Sequence, residues 1–358
     1  MIFRAKHIAL ALVAFIFYSC MKDETIPVTP YDLFGSRGVF IVNEGNYLYG
    51  NASLSYYDFE SKEVINNIYA QSNGVPLGDV AYSMAIYKGK GYIVVNNSGC
   101  IHIVDANTLQ HIGTIENLPS PRHIHFLSDD VALVSDLYAR GITIVNPIKM
   151  EVVGKIETGS QSLPFNQHPT EDLIRVEDKI FTNCWSYDNK VLVISSESLA
   201  VIDSIEVGIQ PLSMAKDKNN NIWVMNDGGY PGNPFGQENP SLMRINSATN
   251  EVELRLNFDS ANSLVGQIDI NPAGDSLYFI NKNIYRMHVD DSELPTEPFI
   301  LSENKNFRAI AINPVNNDMF ISDTKDYMSE GTTYRFNLSG HIIDTIDVGI
   351  IPGSFCFN

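Results

Sequence analysis

The sequence predicts an all-β protein, a seven-bladed β-propeller of four-stranded blades. Three observations carry that prediction: a strand-rich repeat that superimposes without gaps, its return at near-even spacing, and two chain ends that complete one another. Residues 101–115, 142–156 and 191–205 align position by position, 41 and then 49 residues apart. Ile101, Ile142 and Val191 correspond, then Ile103/Ile144/Val193, Asp105/Asn146/Ser195, Leu109/Met150/Leu199, Ile112/Val153/Ile202 and Ile115/Ile156/Ile205. Apolar residues at every second position make strands, and a repeat of this length makes small sheets that bury their faces on one another.

The first 19 residues stand apart from the repeat. Arg4 and Lys6 precede an apolar run over 8–18, then Ser19 and Cys20. A basic start with a short apolar core is an export signal, too short for a comfortable membrane-spanning helix. Cys20 sits where lipoprotein precursors are cleaved and acylated, although Phe17 stands where Leu is usual. Residues 20–36 are then an acylated cysteine and a tether containing Pro27 and Pro30. Several acyl chains on one cysteine would hold firmly where one is marginal.

Each repeat unit reads as an apolar strand, a tight polar turn, a second strand, a loop, and a hairpin of two more strands. The first strand recurs at 83–87, 123–126, 173–176, 212–215, 265–270 and 308–312, with a seventh copy at 353–357. From 83 to 353 the average unit is 45 residues, the length of a propeller blade. The earliest strand, at 38–43, resembles a second strand, and the chain closes on a first strand with no unit behind it. Placing that last strand in the first blade pairs both open edges. The propeller therefore spans 37–358 as one domain.

Loop length separates two faces. In a four-stranded blade the first-to-second and third-to-fourth turns share one face, and the second-to-third loops and blade connections share the other. The first set is short (88–90, 128–130, 177–179, 217–220, 272–275). The second holds loops 43–53, 135–141, 183–189, 226–240 and 322–331, with connections 71–80 and 159–170. Elaborated loops on a rigid frame are where binding residues gather. The first loop offers Asn43, Glu44, Tyr47 and Tyr49, and the next Asp136 and Tyr138. Asn183, Trp185 and Tyr187 follow, then Asn226, Asp227, Tyr230 and Phe235, and finally Asp323 and Tyr327. Rigid aromatic area interleaved with Asn, Asp and Gly suits ligand binding.

Other chemistry is hard to find. The chain carries a formal charge of −18, and −20 once residues 1–19 are removed, which makes nucleic acid an unfavourable partner. Three scattered cysteines, Cys100, Cys184 and Cys356, make no disulfide framework. No Cys/His set has zinc spacing, and His123 and His125 read as packed or hydrogen-bonded side chains without a third histidine. No EF-hand run is present, although plentiful acidic loops leave calcium on the axis open. No nucleophile elbow, P-loop or dinucleotide fingerprint is present, so no catalytic residue is assigned.

The repeat Ile-x-Ile-Val-(Asp/Asn), as at 101–105 and 142–146, resembles YVTN/YncE-type propellers. Lys22-Asp23-Glu24 directly after Cys20 resembles the export tag of Bacteroidetes surface lipoproteins, and the opening Gly38-Val39-Phe40-Ile41-Val42-Asn43-Glu44-Gly45 is similar to that of their gut members. The resemblance extends to cobalamin-binding outer-membrane lipoproteins of the BtuG type. It implies a cell-surface, outer-membrane protein that captures a corrinoid, with no cofactor of its own. The implied partner is a TonB-dependent outer-membrane transporter, and the only membrane contact is the lipid anchor. Alternatives from the residues are a glycan- or peptide-binding surface protein and a propeller lyase or hydrolase, the last needing His and carboxylates clustered at the axis.

Overall fold

The computed structural model describes residues 26–159 and 168–358. Residues 1–19, expected as an export signal, Cys20 and Lys22-Asp23-Glu24 lie outside the described residues. Seven antiparallel sheets form seven blades. Blade 1 joins the C-terminal strand Pro352–Phe357 to Gly38–Asn43, Ser53–Asp58 and the two-residue Val64–Ile65. Blades 2 to 5 are contiguous, with inner strands Ala81–Tyr87, Pro121–Phe126, Thr170–Val176 and Pro211–Lys216. Blade 6 opens on Val265–Ile270 and blade 7 on Phe307–Ile312. Each inner strand touches the next around the ring, and Pro352–Phe357 lies between the inner strands of blades 7 and 2.

The ring closes as the two chain ends predict. Val39 pairs with Phe357, Phe40 with Cys356 and Ile41 with Phe355. Phe320 of blade 7 packs against Phe357 with ring centroids 5.5 Å apart, so the seam is apolar as well as hydrogen-bonded. Burying such an aromatic side chain contributes about 2 kcal/mol.

The local chemistry of the repeat explains its conserved spacing between copies. Asp105 Oδ1 accepts the Asn107 and Thr108 N–H groups at 2.9 and 3.0 Å, and Asn146 Oδ1 does the same for Ile148 and Lys149. Four residues on, Leu109, Met150 and Leu199 adopt left-handed backbone (φ 56°, 59° and 51°) and donate to the carbonyls of Asp105, Asn146 and Ser195. A short polar side chain capping its own turn, followed by one left-handed residue with an apolar side chain, closes these three hairpins.

Two elements depart from the expected plan. Blade 6 has three strands, Val265–Ile270, Ser276–Asn281 and Asn283–His288, and its fourth is reduced to a single bridge between Ile284 and Ile300. The segment leading to that bridge contains Pro295 and Pro298, which cannot donate to a ladder. Residues 26–36, expected as a free tether, form a strap along the outer edge of blades 1 and 2. Thr29 N–H donates to Gln71 O at 2.8 Å, Leu33 N–H to Asn107 O at 2.9 Å, and Leu33 is buried. The strap packs beside a six-residue helix, Ile68–Asn73, in the connection to blade 2.

Cys100 and Cys184 are buried and unbridged, and Cys356 sits partly buried on the closing strand, where burial pushes its thiol up to about 12.

Candidate ligand-binding site

All inner strands enter the ring from the long-loop face, and each is irregular at its start. Register shifts fall between Ala81 and Ser83, Pro121 and Ile124, Thr170 and Leu173, Pro211 and Ser213, Val265 and Ile268, and Phe307 and Ile310. Blade 1 has its own shift opposite Pro352. A bulge re-aims the side chain it carries. Here it presents the second residue of each inner strand at one level: Tyr82, Arg122, Glu171, Leu212, Gly266, Arg308 and Gly353. Several of these residues line an axial well of about 500 Å³, together with His123, Asp172, Asp227, Asp269 and Tyr327.

The charged residues of this level are paired. Arg122 Nε donates to the Glu171 carboxylate at 2.9 Å, Tyr82 Oη donates to the same carboxylate at 3.2 Å, and the guanidinium lies 3.4 Å from the Tyr82 ring centroid. Burial alone would raise the Glu171 carboxyl strongly, and Arg122 offsets part of that. Across the mouth, Arg308 donates to Glu44 Oε1 from Nε at 2.9 Å and from Nη2 at 2.6 Å. Glu44 reaches that position because residue 353 is glycine.

One layer deeper, burial shifts each titratable group toward its neutral form. His123 Nε2 lies 3.5 Å from Asp172 Oδ1. Burial, assisted by Arg122, lowers the imidazole to about 3, so this contact is not an ion pair at neutral pH. Burial raises Asp172 to about 7 and Asp269 to about 6, against the hydrogen bonds they accept from Met214 N–H (2.8 Å) and Ile312 N–H (2.7 Å). Both carboxylates lace their own blade to the next one.

The candidate residues divide into two groups. Asn43, Asp136, Asn183, Asn226 and Asp323 are buried at the ends of second strands and hold backbone in place. Asn183 Nδ2 donates to Pro211 O at 2.7 Å while its Oδ1 accepts Asp172 N–H at 2.9 Å. Asp136 accepts Ser120 N–H, Asp323 accepts Asn306 N–H, Asn43 donates to Ser55 Oγ, and Asn226 donates to Ser241 O. These five side chains serve the frame and turn away from the mouth's solvent. Tyr47, Tyr49, Tyr138, Tyr187, Tyr230 and Tyr327 are exposed, from 40% for Tyr187 to 71% for Tyr49. Trp185 and Phe235 are half-buried, and Trp185 stands 5.8 Å from the Arg122 guanidinium. Asp227 lines the well, with its carboxyl raised by burial.

The rim is tied rather than loose. Asn46 Nδ2 donates to Tyr327 O at 2.7 Å, joining the loops of blades 1 and 7, and Tyr187 and Tyr230 meet edge to face at 6.3 Å. Asn233 Nδ2 donates to Gln210 Oε1 at 2.8 Å and folds the 227–240 loop onto blade 5. On blade 6 the corresponding turn is Lys282 alone, so the rim is low on that side. Arg122, Glu171, Asp172, Asp269 and Arg308 did not stand out as candidates in the sequence, because they lie within strands. Their signal was a charge on an inner strand, where apolar residues dominate.

The profile of a domain of unknown function, DUF5074, matches residues 37–350, the whole ring apart from its closing strand. The chain belongs to the DUF5074 family. No curated protein matches it in sequence. Among solved structures, this DUF5074 chain is similar to a quinoprotein alcohol dehydrogenase-like protein of Bacteroides thetaiotaomicron, with 20% identity, TM-score 0.69, and 90% of this chain and 78% of that one covered. It is also similar to the hydrazine synthase of Kuenenia stuttgartiensis (13% identity, TM-score 0.58, 77% and 89% covered). A dihydro-heme d1 dehydrogenase is a third (11% identity, TM-score 0.60, 88% and 74% covered). At these identities the similarity of the DUF5074 chain to them is one of fold.

Proposed function

We propose that this protein is a cell-surface binding module that captures a corrinoid across the mouth of the axial well. The observation that carries the proposal is the rim: six exposed tyrosines on one face around a well whose walls are polar. A corrin is a broad disc fringed by amides. It is too large to sink into a well of about 500 Å³, but its faces suit Tyr47, Tyr138, Tyr230 and Tyr327, and its fringe suits the Glu44–Arg308 and Arg122–Glu171 pairs as donors and acceptors. Prepaired charges leave no strong field for a highly charged ligand, which agrees with an amide-rich one. The remaining parts of the reading are acylation at Cys20, export by Lys22-Asp23-Glu24, and handover to a TonB-dependent outer-membrane transporter. They rest on the resemblance of the N-terminus to surface lipoproteins.

The test is calorimetric titration of the chain lacking residues 1–20 with cyanocobalamin. Tight one-to-one binding is expected, and no heat at high protein concentration overturns the corrinoid reading. A catalytic reading has one observation behind it: His123 and Asp172, 3.5 Å apart on the well wall, with Asp172 raised to about 7. A group near neutrality in a cleft suits acid–base chemistry. Turnover of a glycan that vanishes in Asp172→Asn would favour a propeller lyase or hydrolase instead.

A further inference from the structure

Away from the axial well, three side chains of different chemistry meet at the edge of blade 4. His168 precedes the inner strand Thr170–Val176, Cys184 ends the second strand Lys179–Cys184, and Asp188 lies in the loop that follows. An imidazole nitrogen, the thiol sulfur and a carboxylate oxygen all lie within 4.8 Å of one another. Cys184 and Asp188 are buried, and His168 is partly exposed. His168 Nδ1 and Asp188 Oδ2 are hydrogen-bonded at 2.7 Å, and Asp188 Oδ1 accepts Asn189 N–H at 2.7 Å. The cluster escapes sequence inspection because only folding of the second strand against the inner one brings His168 to Cys184. Ser186 and Tyr187, both left-handed (φ 36° and 60°), turn the chain so that Asp188 returns beside the thiol.

A cysteine in an apolar core needs no polar neighbour. Cys184 instead faces a buried carboxylate and an imidazole, an arrangement that costs desolvation and offers the sulfur nothing in exchange. We propose that His168, Cys184 and Asp188 form a three-ligand site for a borderline-soft divalent cation, of which zinc is the type. Thiolate, imidazole and carboxylate are the donors zinc takes, and the two anionic ligands neutralise the dication, so the occupied site is neutral where it is buried. Zinc–ligand bonds of about 2.0–2.3 Å set the three ligand atoms roughly 3.3–3.8 Å apart in a tetrahedral site, so the sulfur adjusts by a small shift and the His168–Asp188 pair opens slightly from 2.7 Å. On binding, the Cys184 thiol releases its proton to solvent, His168 carries its ring proton on Nε2 so that Nδ1 is free, and the His168–Asp188 hydrogen bond gives way to two bonds to the metal. Water holds the fourth position. The ion then staples the loop carrying Trp185 and Tyr187 to the start of blade 4 and fixes that sector of the rim.

The test uses the purified chain, stripped with a chelator and titrated with Co²⁺ before displacement by Zn²⁺. One equivalent of cobalt is expected to give a thiolate-to-cobalt charge-transfer band with intense tetrahedral visible bands, both bleached by zinc. Cys184→Ser abolishes the charge-transfer band, whereas Cys100→Ser leaves it unchanged. His168→Ala, at the least buried ligand, weakens cobalt binding by at least about tenfold. Absence of the band in the wild type, or its survival in Cys184→Ser, overturns the site. Should Cys184→Ser fail to fold, an unchanged cobalt affinity in His168→Ala overturns it equally.

Discussion

Glu44 and Gly353 share one corner of the axial mouth, and a Cβ at position 353 would overlap the Glu44 carboxylate. The glycine therefore decides whether Arg308 has a partner. Gly353→Ala is expected to expel Glu44, leave the guanidinium uncompensated and cost about 2 kcal/mol in chemical denaturation. Combining it with Glu44→Ala should recover part of that loss, because the overlap is gone. Strictly additive losses would show that the two positions are independent.

Asp172 makes stability depend on pH in a stated direction. Its carboxyl is raised from 3.8 to about 7 in the fold, so the folded state holds the extra proton and stability falls as pH rises through that window. Asp172→Asn removes the titration while keeping an acceptor for Met214 N–H. Relative to its value at pH 4, the variant's stability should gain on wild type by on the order of 4 kcal/mol at pH 8. Parallel pH profiles would sink this assignment.

Asn183 belongs to the frame. Asn183→Ala removes a buried donor to Pro211 O and an acceptor for Asp172 N–H, and should cost about 2 kcal/mol of stability. Tyr327→Ala, by contrast, should leave the melting temperature in place and weaken cyanocobalamin binding about tenfold, measured by calorimetry. The reverse pattern would exchange the roles given to the two residues.

Ring closure is tested by the shortest deletion. Removing residues 352–358 strips Gly38–Asn43 of its partner and exposes Phe320 at the seam. Loss of the cooperative thermal transition is expected, and an unchanged transition would refute closure by this strand.

The architecture was legible because it is written in periodicity. Leu109, Met150 and Leu199 occupy the same left-handed position of the same turn in three successive blades, and that shared geometry keeps the copies in register. Inner strands begin up to three residues before their apolar cores, since their starts are bulged and carry Tyr82, Arg122, Glu171 and Arg308 in place of alternating apolar side chains. The face that carries the long loops was legible from loop length, and the exposed tyrosines lie on it. The split between Tyr327 and Asn183 was not, because residue type alone does not tell a side chain that caps a strand from one that faces solvent. Nor was the His168–Cys184–Asp188 cluster, which exists only through space.

The strap fixes where the N-terminal segment must leave. Ile26 lies with Gly50, Ala52, Glu330 and Gly349, all on the long-loop side of the ring, and the chain descends from there to the opposite face before blade 1 begins. Six residues from Cys20 to Ile26 span at most about 20 Å. A molecule moored by acyl chains at Cys20 would therefore hang by the lip of its own bowl, unable to swing that lip far from the bilayer. Cargo released from the mouth would start its onward journey already beside the membrane, within reach of any gate embedded there.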